Sequence, residues 1–278
     1  MHEARDGRVQ RSKNAASMAD SYRVREGVGT LVAKMEETIK PGALQLQATV
    51  TKVEKKESGY VVHHTHDNGT QELATTAVVY ALPPRIVAQH IEHVPALPAP
   101  LPADLASIPT WMASYAKLVA VYPTPFWRQT GLAGDAFSER GPLGEVHDAS
   151  QSGEGAKGVL FGFVSIDPER RRTSAQCDQL KTEAVAQLVR LFGSGAGQPL
   201  SVHLEDWATQ PGTATVLDQD TLRYHPRYGS TPAMEAAQQQ HLFFAGTEAA
   251  SNNGGFMEGA LAQAEVVYEQ LYTQLGWS

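Results

Sequence analysis

HLFFAGTEAASNNGGFMEGALAQAEVVYEQL, residues 241–271, is the stretch on which the fold class turns. Leu242, Phe243, Phe244 and Ala245 form a short apolar run closed by Gly246, the pattern of a buried strand ending at a sharp turn. Thr247, Glu248, Ser251, Asn252, Asn253, Gly254 and Gly255 follow, and such small or turn-prone residues leave backbone amides accessible. From Phe256 onward Met257, Ala260, Leu261, Ala264, Val267, Tyr268 and Leu271 recur at helical spacing, which predicts a helix of several turns just after the double glycine. The positive end of that helix faces the turn and favours an anionic or electron-rich group. The same pattern also serves as a plain strand-to-helix connection in any α/β protein, and the turn alone leaves both readings open.

The rest of the chain narrows the class. With 278 residues, 42% of them hydrophobic, it is long enough for one large domain or two small ones. A net charge of -7 argues against nucleic acid as a partner, and no dense basic run contradicts this. Cys177 is the single cysteine, which excludes an internal disulfide and a cysteine-based metal cluster and fits a cytoplasmic setting. Residues 1–21 are polar and mixed in charge, with no apolar core for a signal peptide, and are expected to be a disordered leader. No uninterrupted apolar span occurs, so no membrane is expected as a partner.

Gly27 to Ile39 carries Val28, Leu31, Val32, Met35 and Ile39 at helical spacing, stopped by Pro41 and Gly42. Residues 44–54, 59–66 and 70–80 are β-rich, with Asp67, Asn68, Gly69 and Thr70 as a hairpin signal. His63, His64 and His66 lie beside that hairpin, but alternation sends His63 away from the other two, and no metal site is expected. After Pro83 and Pro84, Ile86 to Ile91 read as a short helix, and the proline-rich residues 94–105 as a surface connection between two lobes. Residues 115–122, YAKLVAVY, alternate so that Tyr115, Lys117, Val119 and Val121 share a face. Lys117 is then either an edge-strand lysine with its stem on apolar surface or a lysine aimed into a cavity. Strands at 132–138, 143–149, 158–165 and 200–206 and an amphipathic helix at 174–192 ended by Gly193 complete a mixed α/β (α+β) pattern.

Taken in order, several of these segments resemble the C-terminal half of the flavin-containing amine oxidases, the family of monoamine oxidases and L-amino acid oxidases. FFAGTEAASNNGGFMEGALAQAE is similar to that family's closing flavin motif, ALPP to its strand-to-loop element beside the flavin, and YAKLVAVYPTPFWR to its substrate-domain strand with a Phe-Trp pair. YRVREGVGTL and ATVTKVE resemble the lead into the middle of the FAD domain, so the likeness runs from Tyr22 to Tyr272. It implies a partial FAD-binding domain at 22–93 and 200–278 and a mixed-sheet substrate domain at 94–199. Carried over position by position, it puts Gly246, Thr247 and Glu248 near the FAD ribityl and phosphates, and Gly255, Phe256 and Met257 under the isoalloxazine. Val50 matches the backbone contact to adenine, and Lys117 the lysine that approaches flavin N5 through a water. Trp207 and Phe256 would shape the amine pocket.

Three departures qualify the likeness. Monoamine oxidases attach flavin through a cysteine after the tryptophan that Trp207 resembles, but here that region reads ATQPGTATVLDQ, so FAD is expected to be held noncovalently. Phe256 stands where those enzymes place a tyrosine, leaving an aromatic face without a hydroxyl. The leader also holds no strand before a G-x-G-x-x-G fingerprint for the pyrophosphate, which reads as a truncation and predicts weak FAD binding by the chain alone. Two functions follow: oxidation of a small-molecule amine, with hydride passing to flavin N5 and oxygen reduced to peroxide, or a noncatalytic fragment dependent on a protein partner that supplies the N-terminal half.

Overall fold

The computed structural model describes residues 1–11, 24–66, 69–151, 153 and 155–276. In chain order the regular elements begin β1 (His2–Glu3), β2 (Val9–Gln10), α1 (Gly29–Thr38), β3 (Thr49–Lys56), β4 (Gly59–His66), β5 (Gly69–Thr75) and β6 (Val78–Tyr80). They continue with α2 (Pro84–His90), β7 (Glu92–Val94), α3 (Leu101–Ser107), β8 (Ala116–Tyr122), α4 (Phe126–Gln129), β9 (Ala136–Ser138), β10 (Leu143–Asp148) and β11 (Gly158–Val164). The last are α5 (Ser174–Phe192), β12 (Ser201–Asp206), α6 (Pro232–Gln238), β13 (Leu242–Phe244) and α7 (Met257–Leu275). The chain divides into two compact units, residues 1–44 with 115–206 and residues 45–114 with 207–278.

The first unit is built on a seven-stranded sheet, ordered β12-β8-β11-β10-β9-β1-β2. Neighbours are antiparallel except β1 and β9. Strict alternation along β8 sends Ala116, Leu118, Ala120 and Tyr122 into the core, where Leu180, Ala184, Leu188 and Leu191 of α5 cover them. Helix α5 forms because its apolar residues share one stripe and both ends are marked. Thr173 accepts from Gln176 N at 3.2 Å while Gln176 Oε1 accepts from Thr173 N at 3.0 Å, and Gly193, at φ 92°, stops the chain. Thr173→Ala is therefore expected to cost about 1 kcal/mol, read as a lowered midpoint in urea.

Beside α5, Arg171 is fully buried and donates from Nε to Asp206 at 2.8 Å and from Nη1 to the Ile166 carbonyl at 2.7 Å. Residues 1–11, expected within a leader, instead hold β1 and β2, and the buried Glu3 accepts from Arg190 at 2.9 Å and Ser138 at 2.7 Å. A partner so distant in sequence leaves no local signal. Residues 12–21 of the expected leader lie outside the described residues. Helix α1 carries its apolar stripe as read, yet Val28, Leu31, Val32, Met35 and Ile39 are all exposed.

The second unit holds a four-stranded sheet, β5-β4-β3-β7, and the parallel pair β13-β6. Strands β4 and β5 pair antiparallel as the hairpin signal requires, although Asp67 and Asn68 of its turn lie outside the described residues. His63 does face away from His64 and His66; its two ring nitrogens stand 3.3 Å from Glu54 and from Glu72. The proline-rich stretch 94–105 is more than a connection. It folds into α3, whose Leu101 and Leu105 join Val87, Met234, Leu242 and Phe244 in the core. Among the described residues no helix is long and apolar enough to cross a membrane.

Candidate functional site

Strand β13 delivers the glycine turn from the centre of the second unit. Leu242, Phe243 and Phe244 are buried and register with Val78, Val79 and Tyr80 of β6, and Ala245 N extends the ladder to the Tyr80 carbonyl at 2.9 Å. Residues 247–249 then make one tight 3-10 turn, and α7 starts at Met257 with no side chain capping its first amides. The Thr247 hydroxyl donates to the Phe256 carbonyl at 2.8 Å, drawing the two ends of the turn together.

The glycines are close to atoms of the chain itself. A β-carbon on Gly259 would collide with the Asn253 carbonyl and stand 2.9 Å from the Thr247 hydroxyl. One on Gly246 would lie 3.0 Å from the Leu82 carbonyl, and one on Gly255, which has φ 81°, 2.7 Å from His225 Nε2. Gly254 packs in the same way on the Tyr228 side chain. Packing within the chain thus already requires glycine here, before any ligand is considered.

Glu248 is the unusual member of the turn. It is 4% exposed, its carboxylate is hydrogen-bonded to its own backbone N–H, and among the described residues no cation lies within ion-pair distance. Burial pushes its carboxyl above the ordinary carboxylate value, that backbone bond opposes the shift, and the charge of Asp218 adds to it. Asp218 is itself held: it accepts from Arg85 Nη1 at 2.6 Å, Thr110 N at 3.1 Å and the Thr215 hydroxyl at 2.8 Å. Tyr228 donates to the Pro109 carbonyl at 2.8 Å, and burial, followed by the nearby Glu248 charge, pushes its phenol up.

Four rings close one side. His225 stacks on Phe256 with centroids 5.2 Å apart and planes 4° apart, with Trp111 at 4.8 Å and Tyr228 edge-on at 5.6 Å. Phe256 and Met257 are exposed, and so is Trp207, in a 3-10 turn of the same unit. Val50 is half-buried on β3 opposite His64, next to a bulge. The structure therefore gathers Gly246, Thr247, Glu248, Gly255, Phe256 and Met257 around one turn. Sequence reading did not single out His225, Tyr228, Trp111 or the Arg85–Asp218 pair, although YHPRYG at 224–229 offered its histidine and two tyrosines as a signal.

Lys117 belongs to the first unit. Strand β8 lies between β11 and β12, which rules out the edge-strand reading. Its side chain leaves the face opposite α5, and Nζ sits 5.1 Å from the centre of the Phe163 ring on β11. Cys177 is on α5 in that same unit, its Sγ directed to the Arg171 carbonyl at 3.2 Å.

The sequence profile of the flavin containing amine oxidoreductases matches residues 9–266. The chain belongs to this family. A Mycobacterium tuberculosis protein named as the flavin-containing monoamine oxidase AofH is 31% identical over 229 residues, 79% of this chain and 46% of that protein. The flavin-containing amine oxidase B of Rattus norvegicus is 25% identical over 210 residues, 72% of this chain and 38% of its own length. A solved putrescine oxidase, redesigned in cofactor binding, superposes with a TM-score of 0.70 over 91% of this chain and 54% of that one, and at 23% identity it speaks for the fold alone. The chain spans about half the length, or less, of these flavin amine oxidase relatives.

The residues of the turn suit the family's flavin. A buried carboxylate with no cation beside it among the described residues is an acceptor for a hydroxyl-bearing ligand, and the uncapped start of α7 offers amides to a ring that gains negative charge.

Proposed function

We propose that this chain carries the amine-oxidising half of an FAD enzyme: it holds FAD noncovalently and uses it to oxidise a small-molecule amine, with oxygen as acceptor. Glu248 carries the reading, because a buried carboxylate with no cation among the described residues costs stability and is explained by a ligand hydroxyl that donates to it. When bound, FAD would take a hydride from the carbon beside the amine nitrogen and pass the electrons to oxygen as peroxide.

The chain's own residues would bind and orient. Gly246, Thr247 and Glu248 would receive the ribityl and phosphate region, the backbone at Gly255, Phe256 and Met257 would lie under the ring, and Val50 would contact adenine. Trp207 and Phe256 would shape the amine pocket, and Lys117 would order a water for the flavin's redox chemistry. Residues 45–114 with 207–278 would then be the flavin-binding part and 115–206 most of the substrate part.

Saturating FAD should raise the melting temperature and, with an amine added, yield peroxide. After acid precipitation the flavin should stay in the supernatant, since the region after Trp207 holds no cysteine. Yellow pellets would defeat the noncovalent attachment, and no thermal shift at saturating FAD would defeat the cofactor assignment. Lys117→Met should slow flavin reduction or reoxidation about tenfold, the worth of one charge-assisted hydrogen bond of about 1.5 kcal/mol, while FAD affinity changes little. Stopped-flow spectra separate the two half-reactions.

The exposed stripe of α1 favours a second reading, in which a protein partner covers the chain and completes the cofactor site. Under it, peroxide forms only when a polypeptide carrying the G-x-G-x-x-G unit is added.

A further inference from the structure

We infer that His225 is the proton acceptor that neutralises the incoming ammonium substrate, an inference resting on the amine-oxidase reading above. Amines of this class are protonated at neutral pH, with dissociation constants near that of a lysine, about pKa 10. An ammonium nitrogen has no lone pair to support loss of hydride from its neighbouring carbon, so a proton must leave first. Phe256, which would form the aromatic wall of the amine pocket, brings no hydroxyl, and the ring stacked on it is an imidazole.

The tautomer is fixed by geometry. His225 Nδ1 lies 2.8 Å from the Pro226 carbonyl, an acceptor, so Nδ1 carries the hydrogen and the neutral ring keeps its lone pair on Nε2. Phe256 and Trp111 hold the ring and Tyr228 closes its edge. Nε2 faces bare backbone at Gly255, where any β-carbon would stand 2.7 Å from it. His225 is an exposed residue, which gives a proton taken by Nε2 a route to water. The step is a proton transfer alone: R–CH2–NH3+ gives its proton to Nε2, leaving a neutral amine with a lone pair and an imidazolium that returns the proton to solvent.

The titratable groups around it are few. Of the rings in contact Tyr228 titrates, and its hydroxyl is committed to Pro109 and pushed up by burial. Arg223, Tyr224 and Arg227 flank it on its own segment, Glu258 stands in the first turn of α7, and Glu248 lies near Tyr228.

The test uses the full chain labelled with 15N-histidine, with the His225 signal identified by its loss in His225→Gln. In its neutral form the ring should be the Nδ1–H tautomer, and benzylamine should shift the Nε2 resonance and not the Nδ1 one. In the FAD-loaded chain, His225→Gln and His225→Phe, the latter keeping the stack, should lower kcat/KM for benzylamine about tenfold or more at pH 7. The deficit should close as pH approaches the amine's own pKa. An Nε2–H tautomer, an Nε2 signal indifferent to benzylamine, or pH profiles of the variants that overlay the parent's would overturn the assignment. If the parent chain oxidises no amine, the enzymatic reading falls, while tautomer and benzylamine shift still decide for or against His225.

Discussion

Glu248→Gln is expected to make the ligand-free chain more stable and its FAD complex weaker. The native carboxyl, raised by burial, binds protons more tightly in the folded chain than in the unfolded one. Between the unfolded value and the folded one the native state therefore holds more protons, so stability falls as pH rises through that window. Glutamine removes the charge and keeps the shape. At pH 8 the gain should be about 1–3 kcal/mol, the usual cost of a poorly compensated buried polar group, or very roughly 2–12 °C in melting temperature. At pH 4, below the window, parent and variant should melt together. With FAD the sign reverses: an amide accepts a hydroxyl less strongly than a carboxylate, and the loss of about 1.5–3 kcal/mol is roughly 10- to 150-fold in Kd. Thermal scans at the two pH values and an FAD titration decide it. Equal melting at pH 8 would remove the argument from burial.

The largest loss of stability is expected from Asp206→Ala. Arg171 is fully buried, and its Nε–Oδ2 contact of 2.8 Å joins the segment before α5 to the last residue of β12. Deleting the carboxylate leaves a guanidinium in the interior without its hydrogen-bonded counter-charge and with Asp167 as the remaining nearby acid, which costs about 3–5 kcal/mol and roughly 6–20 °C in melting temperature. Arg171→Met with Asp206→Leu should recover much of this, because then neither charge is buried. Similar melting of the single and double variants would show that the pair is not what holds the two elements.

How much was legible beforehand depends on how local each signal is. Residues 59–66 and 174–192 coincide with β4 and α5, since alternation or helical period ran between clear stops at Gly59 and Gly193. The strand looked for at 44–54 begins only at Thr49, because Gln47 takes φ 56°, outside the extended region, and among the described residues 44–48 pair with no strand. Helix α3 was hidden by its prolines, although a proline in the first turn is compatible with a helix. At the candidate site the strand, turn and helix were readable from residues 241–271. What stands beside the glycines was not, for His225 and Tyr228 arrive from an earlier segment and meet the turn only through tertiary packing.

The self-packed turn bears on how lineages of this family age. Because Gly254, Gly255 and Gly259 are required by Tyr228, His225 and the Asn253 carbonyl, a descendant that had abandoned its cofactor would still be selected to keep all three. Retained glycines are then a poor witness to retained chemistry. Glu248 is the better one: if its buried carboxylate is kept for a ligand hydroxyl, as proposed, drift to an uncharged residue there should be the first mark of a flavoprotein turned scaffold.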